Sequence, residues 1–463
     1  MIKRIQNTLL ICFLLISSSA FSQSISGNLK LLTNQQIKLE GFNGLKTYLI
    51  SSSNIDENGN FNLSYSKTDH GVGYVMSADE KPLFVILSGE DIEIAGEALS
   101  QPETIKIIKG QENKWFEQYA EEQPKREQAL TAWTYLEKMY LANEEFKTHT
   151  KAKQAIREEQ QHLKAKDEDF IASLPKDSYV RWFLPTRKLV SNVSTIAQYR
   201  PKEIPETIAA FRALDYTDKR LYKSGLFKDA INNHFWLLEN SGQPLDQVFE
   251  SMKVSIDAMF EKLVFDEEKL NIVTNHLFDL LEKHSLFEAS EYLALKALNE
   301  TSCTLNSDLA KQLESYRAMK KGKTAPDIRF TKNTIFPNQP IEKLSDLDSP
   351  YTLVVFGASW CPKCQEEIPE LAQYYNSWKQ EGVELVLVSL DDNETDFRNF
   401  TKDFPFISTT DYKKWDGQIV SDYYVFSTPT MYLLDDKREI LLRPNSIEQM
   451  KAWVDWYLVK GNK

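Results

Sequence analysis

The stretch GASWCPKCQEEIPE, residues 357–370, decides how the C-terminal third of this chain is read. It separates Cys361 and Cys364 by two residues, with Trp360 in front and Glu367 and Pro369 behind. Upstream, YTLVVFGA (351–358) is an unbroken apolar run, as a strand covered on both faces requires. Downstream, CPKCQEEIPELAQYYNSWK has helical spacing. The pair therefore falls where a strand gives way to a helix. There, free N–H groups and the helix dipole favour a thiolate at Cys361. Lys363 adds a positive charge nearby. Cys364, one turn on, can reach back to close a disulfide or resolve a mixed one. Positions 361, 364 and 367 step by three, which puts Glu367 on the same stripe. A carboxylate there could take the Cys364 proton or hold it in place; equally, Glu367 could be a solvated residue of a charged first turn. Pro369 would bend or tighten the helix just beyond the site.

Outward from the pair, strands and helices alternate. VELVLVSL (383–390) repeats the buried-strand pattern, and DNETDFRNF follows it as a capped helix. TMYLLDD and EILLRP read as a terminal pair of strands, and SIEQMKAWVDWYL as a closing amphipathic helix. This α/β domain is expected over 321–463, after a polar linker within MKKGKTAPDIRF (319–330). Residues 23–108 read instead as a small antiparallel β domain: QIKLEGF alternates, NGNFNLSY turns at Asn58-Gly59, and PLFVILSGEDIEIAG holds a buried run. His70 stands there as an ordinary loop residue. Residues 109–320 read as all-α. Leu270, Val273, Leu277, Leu280 and Leu281 share one stripe, and the charge-rich Glu144–Asp169 reads as one long helix with a solvated face. Trp182, Phe183, Phe235 and Trp236 are expected in the core, and Cys303 as a small buried hydrophobe.

The start of the chain carries Lys3 and Arg4, an apolar run from Leu9 to Ile16, and small residues up to Ser22. That is the layout of a secretory signal peptide over 1–22, cleaved before Gln23. A periplasmic or cell-envelope protein with no membrane span after cleavage is the expectation. Cys12 lies inside the apolar run, so a lipoprotein site is discounted. A net charge of −12 argues against non-specific binding to nucleic acid or anionic lipid. Few cysteines in a long chain point to chemistry rather than stapling. A zinc site would need about four ligands, whereas every histidine lies outside 321–463 and no second cysteine pair exists. A thiol peroxidase is the other rival. Peroxiredoxins carry a proline and a threonine or serine where this chain has Val354 and Ala358.

FGASWCPKC, VELVLVSL and YYVFSTPTMYLLDD together resemble a thioredoxin-like domain, and more closely the exported thiol-disulfide reductases of the TlpA and ResA type. The resemblance covers roughly 322–463. It implies that Cys361 is the exposed attacking cysteine and Cys364 the buried resolving one, linked as a redox-active disulfide. It implies a cis bond at Thr428-Pro429, with Trp360, Thr428 and Pro429 meeting an extended substrate. Glu367-Ile368-Pro369 matches a glutamate of ResA-type proteins, which favours the proton-handling reading of Glu367. Asn393 to Val420 would hold an added helix and strand. Thioredoxin itself has a buried aspartate where this chain has Val355, so Glu367 would have to serve as acceptor. Residues up to 320 resemble, more weakly, the β and helical parts of multidomain envelope proteins. The implied activity is thiol-disulfide exchange on protein thiols and disulfides, with no bound cofactor, a membrane thiol-disulfide electron donor, and cytochrome c maturation as one setting. The alternative is an envelope binding or scaffold protein with a structural thioredoxin-like module.

Overall fold

The computed structural model describes residues 23–77, 81–284, 286–300, 307–444 and 446–459. The expected signal peptide, with Cys12, and Cys303 lie outside the described residues. The chain forms two compact units, Met1–Pro244 and Leu245–Lys463.

In the first unit, eight strands form two four-stranded sheets. They are β1 (Gln23–Leu29), β2 (Gln36–Asn43), β3 (Lys46–Asn54), β4 (Asn60–Tyr65), β5 (Gly71–Ser77), β6 (Leu83–Leu87), β7 (Ile92–Gly96) and β8 (Lys106–Lys109). The sheet orders are β4-β1-β7-β8 and β3-β2-β5-β6. Alternate residues such as Ile25, Leu39, Leu63, Val85 and Ile94 meet in one core, as a sandwich requires. One pair departs from the antiparallel expectation: β1 and β7 run parallel. The buried run of β6 has two destinations. Val85 and Leu87 join the sandwich core, while Ile86 joins Val72, Tyr119, Phe183 and Leu184 under the helices.

Those helices are α1 (Gln111–Ala142), α2 (Thr150–Ser173), α3 (Tyr179–Ser191), α4 (Val193–Tyr199), α5 (Ile204–Ala213), α6 (Lys219–Tyr222) and α7 (Phe227–Glu239). The Asn113 side chain bonds both the N–H and the carbonyl of Ile86, at 2.8 and 2.9 Å, which ties α1 to β6. Glu112 accepts from Val180 N–H and Ser178 Oγ at 2.9 and 2.8 Å, so a carboxylate caps α3. The stretch expected as one helix from Glu144 is broken. A short turn over Glu144–Phe146 precedes α2, capped by the Asn143 side chain. Its face is not solvated throughout either, because Asp167 is buried and accepts from Arg126 Nε and Lys188 Nζ, each at 2.6 Å. Phe183 and Phe235 are core, whereas Trp182 and Trp236 are only half buried.

The second unit starts with α8 (Leu245–Leu263), α9 (Glu267–Lys283), α10 (Phe287–Glu300) and α11 (Ser307–Ala318). Leu270, Val273, Leu277 and Leu281 are buried on α9, joined by Phe278, while Leu280 is half buried. Strands β9 (Tyr351–Gly357), β10 (Val383–Ser389), β11 (Ile407–Thr410), β12 (Thr430–Asp435) and β13 (Ile440–Leu442) form one mixed sheet ordered β11-β10-β9-β12-β13. The helices between and after them are α12 (Pro362–Gln380), α13 (Glu394–Thr401), α14 (Gln418–Asp422) and α15 (Ile447–Trp453). The segment expected to add a helix and a strand thus carries α13 and β11. Alternate residues of the central strands serve two cores. Leu353, Val355, Leu385 and Leu387 face α12 and α15, and Val354, Phe356, Val386 and Val388 face the other layer. The expected linker is not free. Met319, Ala325 and Ile328 are buried in that second core, and Gly322 N–H bonds Ile440 O at 2.9 Å while Ile440 N–H bonds Lys323 O at 2.8 Å. Among the described residues, no helix is long and apolar enough to cross a membrane.

Candidate active site

Strand β9 ends at Gly357 and α12 begins at Pro362, so the cysteine pair occupies the junction the sequence suggested. Pro362 fits the first helical position, where its missing N–H is not needed. Cys361 is the N-cap, and its sulfur accepts the Cys364 N–H at 3.2 Å. Cys361 and Cys364 are joined as a disulfide with Cα atoms 5.2 Å apart. Cys361, expected to be exposed, is only 6% exposed, and Cys364 is fully buried, so Cys361 is the less covered of the two. Gly357 permits this packing: a Cβ there would come 2.3 Å from Ile368 Cδ1.

Thr428-Pro429 is a cis peptide bond, and Thr428 O lies 3.4 Å from Cys361 Sγ. Cys361, Cys364, Thr428 and Pro429 therefore converge. Trp360 lies at the edge of this group, 44% exposed, with its Nε1–H donating to Leu390 O at 3.3 Å. Val355 is fully buried in the layer toward α12 and offers no carboxylate. Glu367 is half buried on the next turn, and its Oε1 lies 3.3 Å from Lys363 Nζ. Burial pushes its carboxyl above the usual range; Lys363 pulls it down, and Glu448 and Glu370 push it further up. Its Oε2 is buried with no hydrogen-bond partner among the described residues.

Two features escaped the sequence reading. The first is Asp391, at the C-terminal end of β10 and 1% exposed. Its Oδ1 accepts from Ser359 N–H and Oγ at 3.1 and 2.6 Å, and its Oδ2 from Ser389 Oγ at 2.7 Å. It thereby pins the loop two residues before Cys361. Polar residues just past adjacent parallel strands were the signal available. The second is a set of exposed rings: Trp415, Tyr424 and Phe426 are 42%, 36% and 49% exposed, and Trp415 meets Trp360 edge-on at 6.0 Å.

A helix N-cap sulfur bonded to a buried partner one turn on can exchange disulfides. The first sulfur is attacked or attacks, and the second completes the transfer. Comparison with known proteins agrees with this class of fold. Residues 349–440 match the thioredoxin-like family, so this part of the chain is thioredoxin-like. The sporulation thiol-disulfide oxidoreductase A of Bacillus subtilis is 32% identical over 114 residues, which cover 22% of this chain and 66% of that protein, just under two thirds. Thiol-disulfide oxidoreductase ResA of Bacillus thuringiensis is 28% identical over 142 residues, covering 31% of this chain and 79% of that one. A thioredoxin-like protein from Bacteroides caccae superposes with a TM-score of 0.42 at 17% identity, over 55% of this chain and 93% of its own.

Proposed function

We propose that this protein is an exported thiol-disulfide oxidoreductase that reduces protein disulfides in the cell envelope. The observation that carries the reading is the Cys361–Cys364 disulfide at the N-terminus of α12, with the Cys361 sulfur against the Thr428 carbonyl. In the reduced state, the Cys361 thiolate attacks one sulfur of a substrate disulfide. The substrate S–S bond breaks, a mixed disulfide forms, and the released thiolate takes a proton from solvent. Cys364 then gives its proton to Glu367 and attacks Cys361 Sγ. The second substrate thiolate leaves, and the Cys361–Cys364 bond holds the two electrons' worth of oxidation. A membrane thiol-disulfide donor returns the pair to the dithiol, and cytochrome c maturation is one setting for such a reductant. Export rests on the N-terminal sequence pattern, and the relatives' names support the activity.

The reduction potential tests this. Titration in dithiothreitol or glutathione buffers, with thiol labelling as the readout, is expected to give a value near or below roughly −230 mV. A value near roughly −120 mV would make the protein an oxidant instead. A pair that never exchanges would sink the reading and leave the scaffold alternative.

Glu367 has its own test. Glu367→Gln is expected to slow resolution of the mixed disulfide about 100-fold, the low end of what a positioned base supplies. The sign of its stability effect follows from its raised pKa. The stabilising state is the protonated one, present below the ordinary carboxylate pKa and lost as pH rises through the raised value. Thermal melts of the variant should therefore fall no lower than the parent at pH 8, with the gap closing toward pH 4. A variant that resolves at the parental rate would return Glu367 to a structural role.

A further inference from the structure

The redox sulfur is almost covered, yet large apolar side chains beside it are not. Trp360, Trp415, Tyr424 and Phe426 are 36–49% exposed, and exposed apolar groups gathered around a site mark a surface that meets a partner. Trp415, Tyr424 and Phe426 line one cavity of about 670 Å³, together with Leu298 of α10 and Glu314 of α11. Tyr424 and Phe426 also line a second cavity of about 360 Å³, together with Pro429 and Thr430, Asp279 and Glu282 of α9, and Tyr316 of α11. The Tyr424–Phe426 ridge is thus shared by both, and the surface runs unbroken from the aromatic rings to the cis-proline beside the disulfide. Its backbone is held at a cost. Of the five non-glycine residues with positive φ among the described residues, three (Tyr412, Lys414 and Tyr424) lie in the segments that carry these rings. Such conformations cluster at binding and active sites.

Two carboxylates and one guanidinium line the second cavity among the described residues, and Glu282 already accepts from Ser290 Oγ. Asp279 and Glu282 stand three residues apart on α9, and burial together with Glu282 pushes the Asp279 carboxyl up, while His276 pulls it down. Arg443 is the cation lining that cavity among the described residues, and its guanidinium is already stacked over Tyr316 at 4.1 Å and Tyr432 at 5.2 Å. These acidic residues belong to helices outside 349–440, so they are not part of the thioredoxin-like match.

We propose that this groove selects a polypeptide substrate that carries an apolar and a basic side chain close to its reacting cysteine. The proposal rests on the oxidoreductase reading and names the substrate class of the same site. With the substrate sulfur at Cys361 and its backbone along Thr428–Thr430, a neighbouring apolar side chain meets Tyr424 and Phe426, and a basic one meets Asp279 and Glu282. Helices α9 and α11 thus supply specificity to a redox centre they do not belong to.

The test uses reduced full-length protein and disulfide-linked peptide dimers carrying Cys-Phe-Lys, Cys-Ser-Lys or Cys-Phe-Glu, with hydroxyethyl disulfide as the small reference. Second-order rates are expected to favour the Cys-Phe-Lys dimer about tenfold over each of the others, the discrimination a single pocket contact supplies. Phe426→Ala should collapse the Phe-over-Ser preference, and Asp279→Asn with Glu282→Gln the Lys-over-Glu preference. If the parent reduces hydroxyethyl disulfide but treats the three peptides alike, the groove proposal is overturned and the redox reading stands. If it reduces none of them, both fall.

Discussion

Cys361→Ser is expected to lower disulfide reductase activity by on the order of 1000-fold or more, the loss that follows removal of a nucleophile. Cys364→Ser is expected to behave differently. It should attack substrate, stop, and accumulate a mixed disulfide stable to non-reducing electrophoresis and released by dithiothreitol. The asymmetry follows from exposure and geometry. Cys361 is the less buried of the two, it caps the helix, and its sulfur receives the Cys364 N–H at 3.2 Å. A thiolate placed there is stabilised both by that hydrogen bond and by the helix dipole. Cys364 is fully buried, under Gly357 and Ile368, and no substrate sulfur can approach it directly. Intact mass analysis after incubation with a disulfide-bonded peptide separates the two variants. A mixed disulfide that accumulated on Cys364 in the Cys361→Ser protein instead would reverse the assignment.

The same contrast shows what a sequence can carry. The cysteine pair was legible because two local patterns, an unbroken apolar strand and a 3.6-residue period, meet at that point, and the fold places β9 and α12 as those patterns require. Asp391 was not legible. Its partner Ser359 is 32 residues away, and only the parallel pairing of β9 with β10, which sets Gly357 opposite Ser389, brings the two together. The segment 319–330 is held in place for a related reason. Its composition is that of a linker, but what fixes it is backbone bonding to residues 438–440, which no side-chain pattern reports. The ring cluster of Trp415, Tyr424 and Phe426 is likewise assembled from two separate loops. Exposed and core aromatics look the same in a sequence.

The charges of α1–α4 lead to the second large effect. Asp167 reads as one more acid in a charged helix, yet its side chain is 5% exposed and paired with Arg126 and Lys188, themselves 13% and 30% exposed. Lys188 and Arg200 reach Glu127 at 3.3 and 2.9 Å, so the group forms a network across α1, α2, α3 and the residue that ends α4. Removing one member strands the others in a poorly solvated place. Asp167→Ala is therefore expected to cost about 3–5 kcal/mol, as breaking a buried pair does. Urea unfolding followed by far-ultraviolet circular dichroism would read it as a lower midpoint. The cause can be isolated, because an apolar set of similar volume avoids the desolvation cost altogether. The triple variant Arg126→Met, Asp167→Leu, Lys188→Met should recover most of the loss despite deleting three charged residues. Equal destabilisation of the single and triple variants would mean that Asp167 matters for its shape rather than for the charges it neutralises. Recovery in the triple variant would show that the network fixes how these helices meet without adding net stability to the fold.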